Sequence, residues 1–150
     1  YQILYWQNGM ILLEPSDISK EDMLKDGKGI FFSEKQMVEG QSTVIASEYS
    51  WESTGQEGYI LYGPYIPLRK GEYKVEVEAI LLDSSVSSSI IIDVYDGEIL
   101  AQKEIEMTRN GEKISLEFNI EEDTKNIEFR IYGYEGCNAQ FKNIKLTKNM

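Results

Sequence analysis

Five of the 17 aromatic residues fall between positions 49 and 65: Tyr49, Trp51, Tyr59, Tyr62 and Tyr65. The stretch between them, Glu52-Ser53-Thr54-Gly55-Gln56-Glu57-Gly58, has the composition of a loop. A second group, Tyr132-Gly133-Tyr134-Glu135-Gly136-Cys137-Asn138, joins two tyrosines to glycines that let the backbone turn. Flat rings with one wet edge, set among carboxylates, amides and guanidinium groups, suit a sugar. The ring stacks on pyranose C–H faces and the polar groups take the hydroxyls. Tyr49, Trp51, Tyr132 and Tyr134 are the stacking candidates, with Arg69, Glu135 and Asn138 as hydrogen-bonding partners. Aromatics inside strands mostly fill cores, and Tyr59, Tyr62, Tyr65 and Tyr73 are expected there. Both candidate groups lie close to loops, so the site is expected at a loop end of the molecule.

Other chemistries are poorly supplied. The 150 residues include no His and one Cys, Cys137. Ser-His-Asp and Cys-His triads are therefore excluded, as are internal disulfides and multi-cysteine metal sites. Cys137 has no basic neighbour in sequence to activate it and reads as a small buried residue. A glycosidase needs two carboxylates roughly 5–9.5 Å apart, one with a raised pKa. With 26 acids some pair meets that distance by chance, but none sits in a motif. Glu76 with Glu78, and Glu104 with Glu106, read as outward strand positions. The chain is expected to be non-catalytic and to need no cofactor. Ca²⁺, an oxygen-binding cation, is the one metal that Glu121-Glu122-Asp123 or Asp93 with Asp96 could help to hold.

With 15 basic against 26 acidic side chains the net charge is −11. That balance disfavours nucleic acid and anionic membrane surfaces. Apolar runs such as Ile80-Leu81-Leu82 are far shorter than the roughly 20 residues of a membrane span. The chain starts Tyr1-Gln2-Ile3-Leu4-Tyr5-Trp6, with neither a Met nor the basic start of a signal peptide. It reads as one domain, residues 1–150, excised from a longer protein. Compartment stays open: cell surface or extracellular beside a hydrolase, cytoplasmic beside a glycosyltransferase.

The elements that must position these residues are strands. From Gly71 to Leu82, Tyr73, Val75, Val77, Ala79 and Leu81 alternate with Lys74, Glu76 and Glu78. That period of two separates an apolar face from a charged one. Apolar Ile80 and Leu82 predict that the far end of this strand is covered on both sides. Ile90–Tyr95 and Glu98–Glu106 flank Asp96-Gly97, a hairpin signal that asks for positive φ at both turn residues. Asn110-Gly111 repeats the signal before Ile114, Leu116, Phe118 and Ile120. Ile127, Phe129 and Ile131 alternate with Glu128, Arg130 and Tyr132, which puts Tyr132 and Tyr134 outward. Ala139 and Phe141 occupy odd positions while Ile144 and Leu146 occupy even ones, which predicts a bulge near Lys142-Asn143. Further strands are expected at Ile11–Leu13, Gly29–Phe32, Thr43–Ser47 and Tyr59–Tyr62, with one or two helical turns within 16–24. About eight or nine strands with hardly any helix make an all-β antiparallel sandwich or barrel.

One segment carries a family likeness. Gly63-Pro64-Tyr65-Ile66-Pro67-Leu68-Arg69-Lys70-Gly71-Glu72-Tyr73-Lys74-Val75 resembles the G-P-Y-x-x-L-x-x-G-x-Y-x-V segment of bacterial galactose-binding-like β-sandwiches. Ile127–Tyr132 and Phe141–Leu146 are similar to their closing strands, so the likeness spans about 59–146. It implies a jelly roll of the kind shared by carbohydrate-binding modules and by modules appended to bacterial polysaccharide-synthesis enzymes, glycosyltransferases among them. Pro64 and Gly71 serve that scaffold and are not ligand residues. The expected role is a non-catalytic carbohydrate-binding accessory module, with a glycan and a parent catalytic domain as partners. The alternative is a spacer that packs on its parent enzyme, to which Ile3-Leu4-Tyr5-Trp6 would add an apolar patch.

Overall fold

The computed structural model describes residues 6–7, 10–11, 29–41, 43–83, 85–108 and 111–149. Within them lie fourteen strands and no helix. In chain order they are β1 (Trp6–Gln7), β2 (Met10–Ile11), β3 (Ile30–Phe31), β4 (Val38–Glu39), β5 (Thr43–Ser47), β6 (Ser50–Ser53) and β7 (Gly58–Tyr62). There follow β8 (Pro64–Leu68), β9 (Gly71–Leu81), β10 (Ser88–Tyr95), β11 (Ile99–Met107), β12 (Gly111–Ile120), β13 (Thr124–Gly133) and β14 (Ala139–Lys148). The helical turns expected within 16–24, and residues 12–13 of the first expected strand, lie outside the described residues. So do residues 3–5 of the N-terminal apolar run.

Two antiparallel sheets face each other. The first runs β11-β10-β13-β7-β4, with β8 also on β13; the second runs β12-β9-β14-β6-β5, with β3 also on β14. The alternation in sequence explains the layering. Ile90, Ile92, Val94, Ile127, Phe129 and Ile131 of the first sheet turn inward, as do Tyr73, Val75, Val77, Leu116, Phe118, Phe141 and Leu146 of the second. All of these are buried. Aromatic contacts bridge the gap: Phe129 lies 6.0 Å from Phe118 and 5.8 Å from Phe32, ring centre to ring centre. Tyr73 stacks on Phe118 and donates its hydroxyl to the Arg69 carbonyl, 2.6 Å away, so its polar end is satisfied inside the core. Cys137 is buried as expected, and burial pushes its thiol pKa up.

The bulge lies at the expected place. The β14–β9 register shifts between Lys142 and Lys145, with Asn143 in the left-handed region at φ 55°. That extra residue moves the inward set from odd to even positions. The Asp96-Gly97 hairpin also forms, but Tyr95 pairs with Ile99, leaving three loop residues. Among them Gly97 alone has positive φ, 101°. The turn is thus the three-residue kind with glycine at the left-handed position, in place of the two-residue type expected.

Asn110-Gly111 does not close a hairpin: β11 belongs to the first sheet and β12 to the second. A turn dipeptide is a local signal, whereas the destination of a strand is set by which sheet edge its apolar face can cover. The strand β8, Pro64–Leu68, was not foreseen because it holds two prolines. It pairs only with β13, at three positions separated by register shifts, as a strand lacking two amide donors must. Ile80 is half-buried and Leu82 is 45% exposed, so the described residues do not close over that end of β9.

Candidate functional site

The outward face of the first sheet gathers exposed Tyr59 with the half-buried Tyr95 and Tyr132. Three cross-strand rows build it. In the first, Tyr59 of β7 sits opposite Tyr132 of β13, then Ile91 of β10 and Glu104 of β11. In the second, Arg130 pairs with Asp93 and Gln102; in the third, Glu128 pairs with Tyr95 and Ile99. The period of two in β13 dictates this, since Phe129 and Ile131 point inward and their neighbours must point out.

The rings form a ladder. Tyr59 and Tyr132 meet edge to face at 5.2 Å, and Tyr132 and Tyr134 do so at 5.7 Å. Their hydroxyls are fixed by acids. Tyr132 donates to Glu57 Oε2 at 2.5 Å, and Tyr134 to Glu104 Oε2 at 3.1 Å. The bond to Glu57 is the largest cause of a raised Tyr132 pKa; for Tyr134, burial leads and the bond to Glu104 follows. Glu57 also accepts from the Glu135 backbone amide at 3.3 Å, which ties the 133–138 connection to the β6–β7 loop. Gly133 is required for the approach. A Cβ there would lie 2.8 Å from Ile60 Cδ1 and 3.2 Å from Cys137 Cβ.

Beside the ladder stands a clamped cation. Arg130 binds Asp93 through two parallel hydrogen bonds, Nε to Oδ1 at 2.8 Å and Nη2 to Oδ2 at 2.9 Å. Its guanidinium carbon also lies 3.9 Å from the Tyr95 ring centre and 5.2 Å from that of Tyr59. Asp93, although on the outward face, is buried beneath this stack. The hydrogen bond to Asp93 is the leading cause of a raised Arg130 pKa. Burial raises the Glu128 carboxyl against the opposing pull of Arg130 and a hydrogen bond from Tyr65. Tyr65, at φ 65°, is itself raised, chiefly by burial and then by Glu128.

Between ladder and clamp opens a cleft of about 400 Å³, bordered by Gly40, Gln41, Glu57, Tyr59, Glu128 and Arg130. Gly40 permits the close passage of β4, because a Cβ there would fall 1.7 Å from the Tyr59 carbonyl oxygen. The cleft is open and lined by the rings of Tyr59 and Tyr62 together with Glu57, Glu128 and Arg130. It has room for a sugar ring, which its polar groups could hydrogen-bond.

The candidates read from sequence separate in space. Tyr132, Tyr134 and Glu135 come together on this face. Asn138 is exposed at the far end of the same connection, its amide bonded to Ser88 Oγ at 2.9 Å. Trp51 is a correction. It is wholly buried at the middle of β6, and its Nε1 donates to Glu39 Oε2 at 3.2 Å, so no ring face is open to a ligand. The loop flanking it misled, because β6 is a strand whose alternation is too short to read. Tyr49 is exposed but sits in the β5–β6 turn of the second sheet. Arg69 follows Leu68, which pairs with Thr124 at the opposite end of β13 from Tyr132. Eight residues of strand place those ends roughly 26 Å apart.

Tyr59, expected in the core, is 40% exposed, and Tyr62 and Tyr65 are half-buried; Tyr73 alone of that group is fully interior. The aromatic surface is therefore on a sheet face and not confined to a loop end. Glu57, Tyr59 and Arg130 were missed as ligand candidates. The outward parity of Arg130 was legible, but its partners come from strands distant in sequence. Asp93 is committed to Arg130, and no three acidic or Cys side chains converge as a metal-holding group among the described residues. No helix among them is long and apolar enough to cross a membrane.

No family model matches the sequence, and no curated protein matches it. Solved structures do match the fold. A sugar-binding protein, the EclA C-terminal domain, superposes with a TM-score of 0.53 at 15% identity, over 69% of this chain and 81% of its own. The C-terminal family 6 carbohydrate-binding module of LamC, a marine laminarinase from Zobellia galactanivorans, gives 0.58 at 13% identity over 80% and 99%. The Clostridium thermocellum xylanase 10B fragment, a family 22 carbohydrate-binding module joined to a GH10 module and complexed with xylohexaose, gives 0.57 at 14% identity. There the match covers 81% of this chain and 28% of the xylanase fragment. The fold, a sandwich of two antiparallel sheets, is thus one that such modules share.

Proposed function

We propose that this chain is a non-catalytic carbohydrate-binding module whose ligand lies across the outward face of the first sheet. The observation that carries the reading is the Tyr59–Tyr132–Tyr134 ladder beside an open cleft. Three rings held by neighbours and by carboxylates offer stacking surface at little conformational cost. Glu57, Glu104 and Glu128 line the rings with acceptors for sugar hydroxyls. Arg130 stiffens the floor, and Glu135 edges the site. The shared fold supports the reading, since the xylanase fragment was complexed with xylohexaose. As a module it would serve a longer bacterial enzyme acting on polysaccharide, which the arrangement of that xylanase fragment supports by analogy.

Calorimetric titration with a panel of neutral oligosaccharides tests this. The expected dissociation constants run from about millimolar to micromolar, or about −4 to −8 kcal/mol. Silence at millimolar sugar removes the proposal.

A second reading is favoured by one other region. Phe31 of β3, Val44 and Ile45 of β5, and Tyr49 are 37–51% exposed along the flank of the second sheet. Such a flank suits a spacer packed against a parent enzyme. The two readings use different faces and are compatible in one molecule.

A further inference from the structure

The charge of the tyrosine face differs from that of the rest of the sandwich, and this bears on which glycan it takes. At outward positions of β10, β11 and β13 and in the adjoining loop stand Glu57, Asp93, Glu104, Glu106 and Glu128. Within these rows the basic side chain is Arg130, whose Nε and Nη2 are bonded to Asp93; Lys125 stands exposed toward the far end of β13. The opposite face is balanced: Lys74, Lys113, Lys142 and Lys145 interleave with Glu52, Glu76, Glu78 and Glu117 across β6, β9, β12 and β14. The tyrosine face therefore carries an acidic excess that the opposite sheet face lacks. Glu57 accepts hydrogen bonds from Tyr132 and the Glu135 amide and Glu104 accepts one from Tyr134, which leaves further lone pairs on both carboxylates.

Resting on the carbohydrate reading above, we infer that this face selects glycans by charge, preferring amine-bearing sugars such as glucosamine polymers over neutral ones, and rejecting uronates. An ammonium group on a ring stacked over Tyr132 or Tyr134 would come within reach of Glu57 or Glu104 and form charge-assisted hydrogen bonds. A carboxylate there would meet the like charge of Glu57 and Glu104. The aromatic ladder supplies binding to any pyranose; the carboxylates sort among them. Exposed ion pairs are worth roughly two- to fivefold in affinity each, so two seated ammonium groups give about a tenfold preference at low salt.

The test compares four hexamers of matched length by calorimetry: glucosamine with its amines protonated, N-acetylglucosamine, glucose and galacturonate. The expected order is glucosamine tightest, the two neutral hexamers about tenfold weaker, and galacturonate weakest. The preference should shrink as salt is raised to physiological strength. In the Glu57→Gln, Glu104→Gln double variant, whose amide oxygens still accept the tyrosine hydroxyls, the ratio of glucosamine to neutral affinity should fall from about ten to about one; an unchanged ratio overturns the charge selection. Neutral hexamers binding as tightly as glucosamine, or galacturonate binding as well as either, overturns the charge selection and leaves the carbohydrate reading standing. No heat from any hexamer at millimolar concentration removes both.

Discussion

The two outward faces of this sandwich are built by the same alternation and end in opposite surfaces. On the second sheet the outward rows read Glu117–Lys74, then Glu76–Lys145, then Lys113–Glu78–Lys142. Opposite charges sit across from each other and also along one strand, as Lys74 and Glu76 do at 3.9 Å, and water does the rest. On the first sheet the rows read Tyr59–Tyr132, then Arg130–Asp93, then Glu128–Tyr95. There a cation is sunk between rings and paired to a buried acid, and the remaining acids have no basic partner opposite them. A face that only needs solubility is satisfied by interleaved charge. The face that stiffens its aromatics and leaves its carboxylates uncompensated is the one proposed to bind.

The contrast can be broken most forcefully at the clamp. Arg130→Ala leaves Asp93 buried without its partner and should cost about 2–3 kcal/mol, somewhat less than a fully buried pair because the guanidinium keeps some water. Lys74→Ala on the balanced face should cost less than about 0.5 kcal/mol. Urea unfolding of the two variants measures the difference, and equal costs would mean that the clamp is an ordinary surface pair. Trp51→Phe comes next. Removing part of a fully buried ring should destabilise by about 2 kcal/mol while leaving oligosaccharide affinity unchanged. A loss of binding at unchanged stability would return Trp51 to the site.

Tyr132→Ala should leave stability within about 1 kcal/mol and weaken sugar binding about tenfold, because it removes the middle ring of the ladder. Tyr49→Ala should change neither. The smallest effect concerns Glu128. Burial raises its folded pKa, so the native chain holds that proton more readily than the unfolded chain does. Stability is then lost as pH rises from the ordinary glutamate range through the raised folded value. Glu128→Gln abolishes that loss. It should stabilise by about a few tenths of a kcal/mol at neutral pH and by nothing below about pH 4. A variant less stable than the parent at neutral pH would show that the Tyr65 contact outweighs the burial.

Much of this contrast was legible in the chain. The long strands β9, β12, β13 and β14 declare their inner faces by period two, and the bulge at Asn143 showed as a change of parity between Phe141 and Ile144. The outward direction of Tyr132 followed from Phe129 and Ile131. What could not be read was pairing. Tyr59 and Tyr132 are neighbours only because β7 joins β13, and Arg130 finds Asp93 only because β10 lies on the other side. Short strands hid in the same way: in β6, four residues gave no period, and Trp51 looked like part of a loop. The prolines of β8 masked a strand that pairs loosely for the same reason. Local pattern fixes which way a side chain points, and long-range pairing decides what it meets.

The central claim is that the tyrosine face is the binding face. Two-dimensional amide NMR during titration with an oligosaccharide the chain binds tests it most directly. The expected shifts fall on residues 57–62, 89–95, 102–106 and 128–135, with the rows of Lys74–Glu78 and Lys113–Glu117 unmoved. Shifts confined to β5, the β5–β6 turn or the balanced face would contradict it.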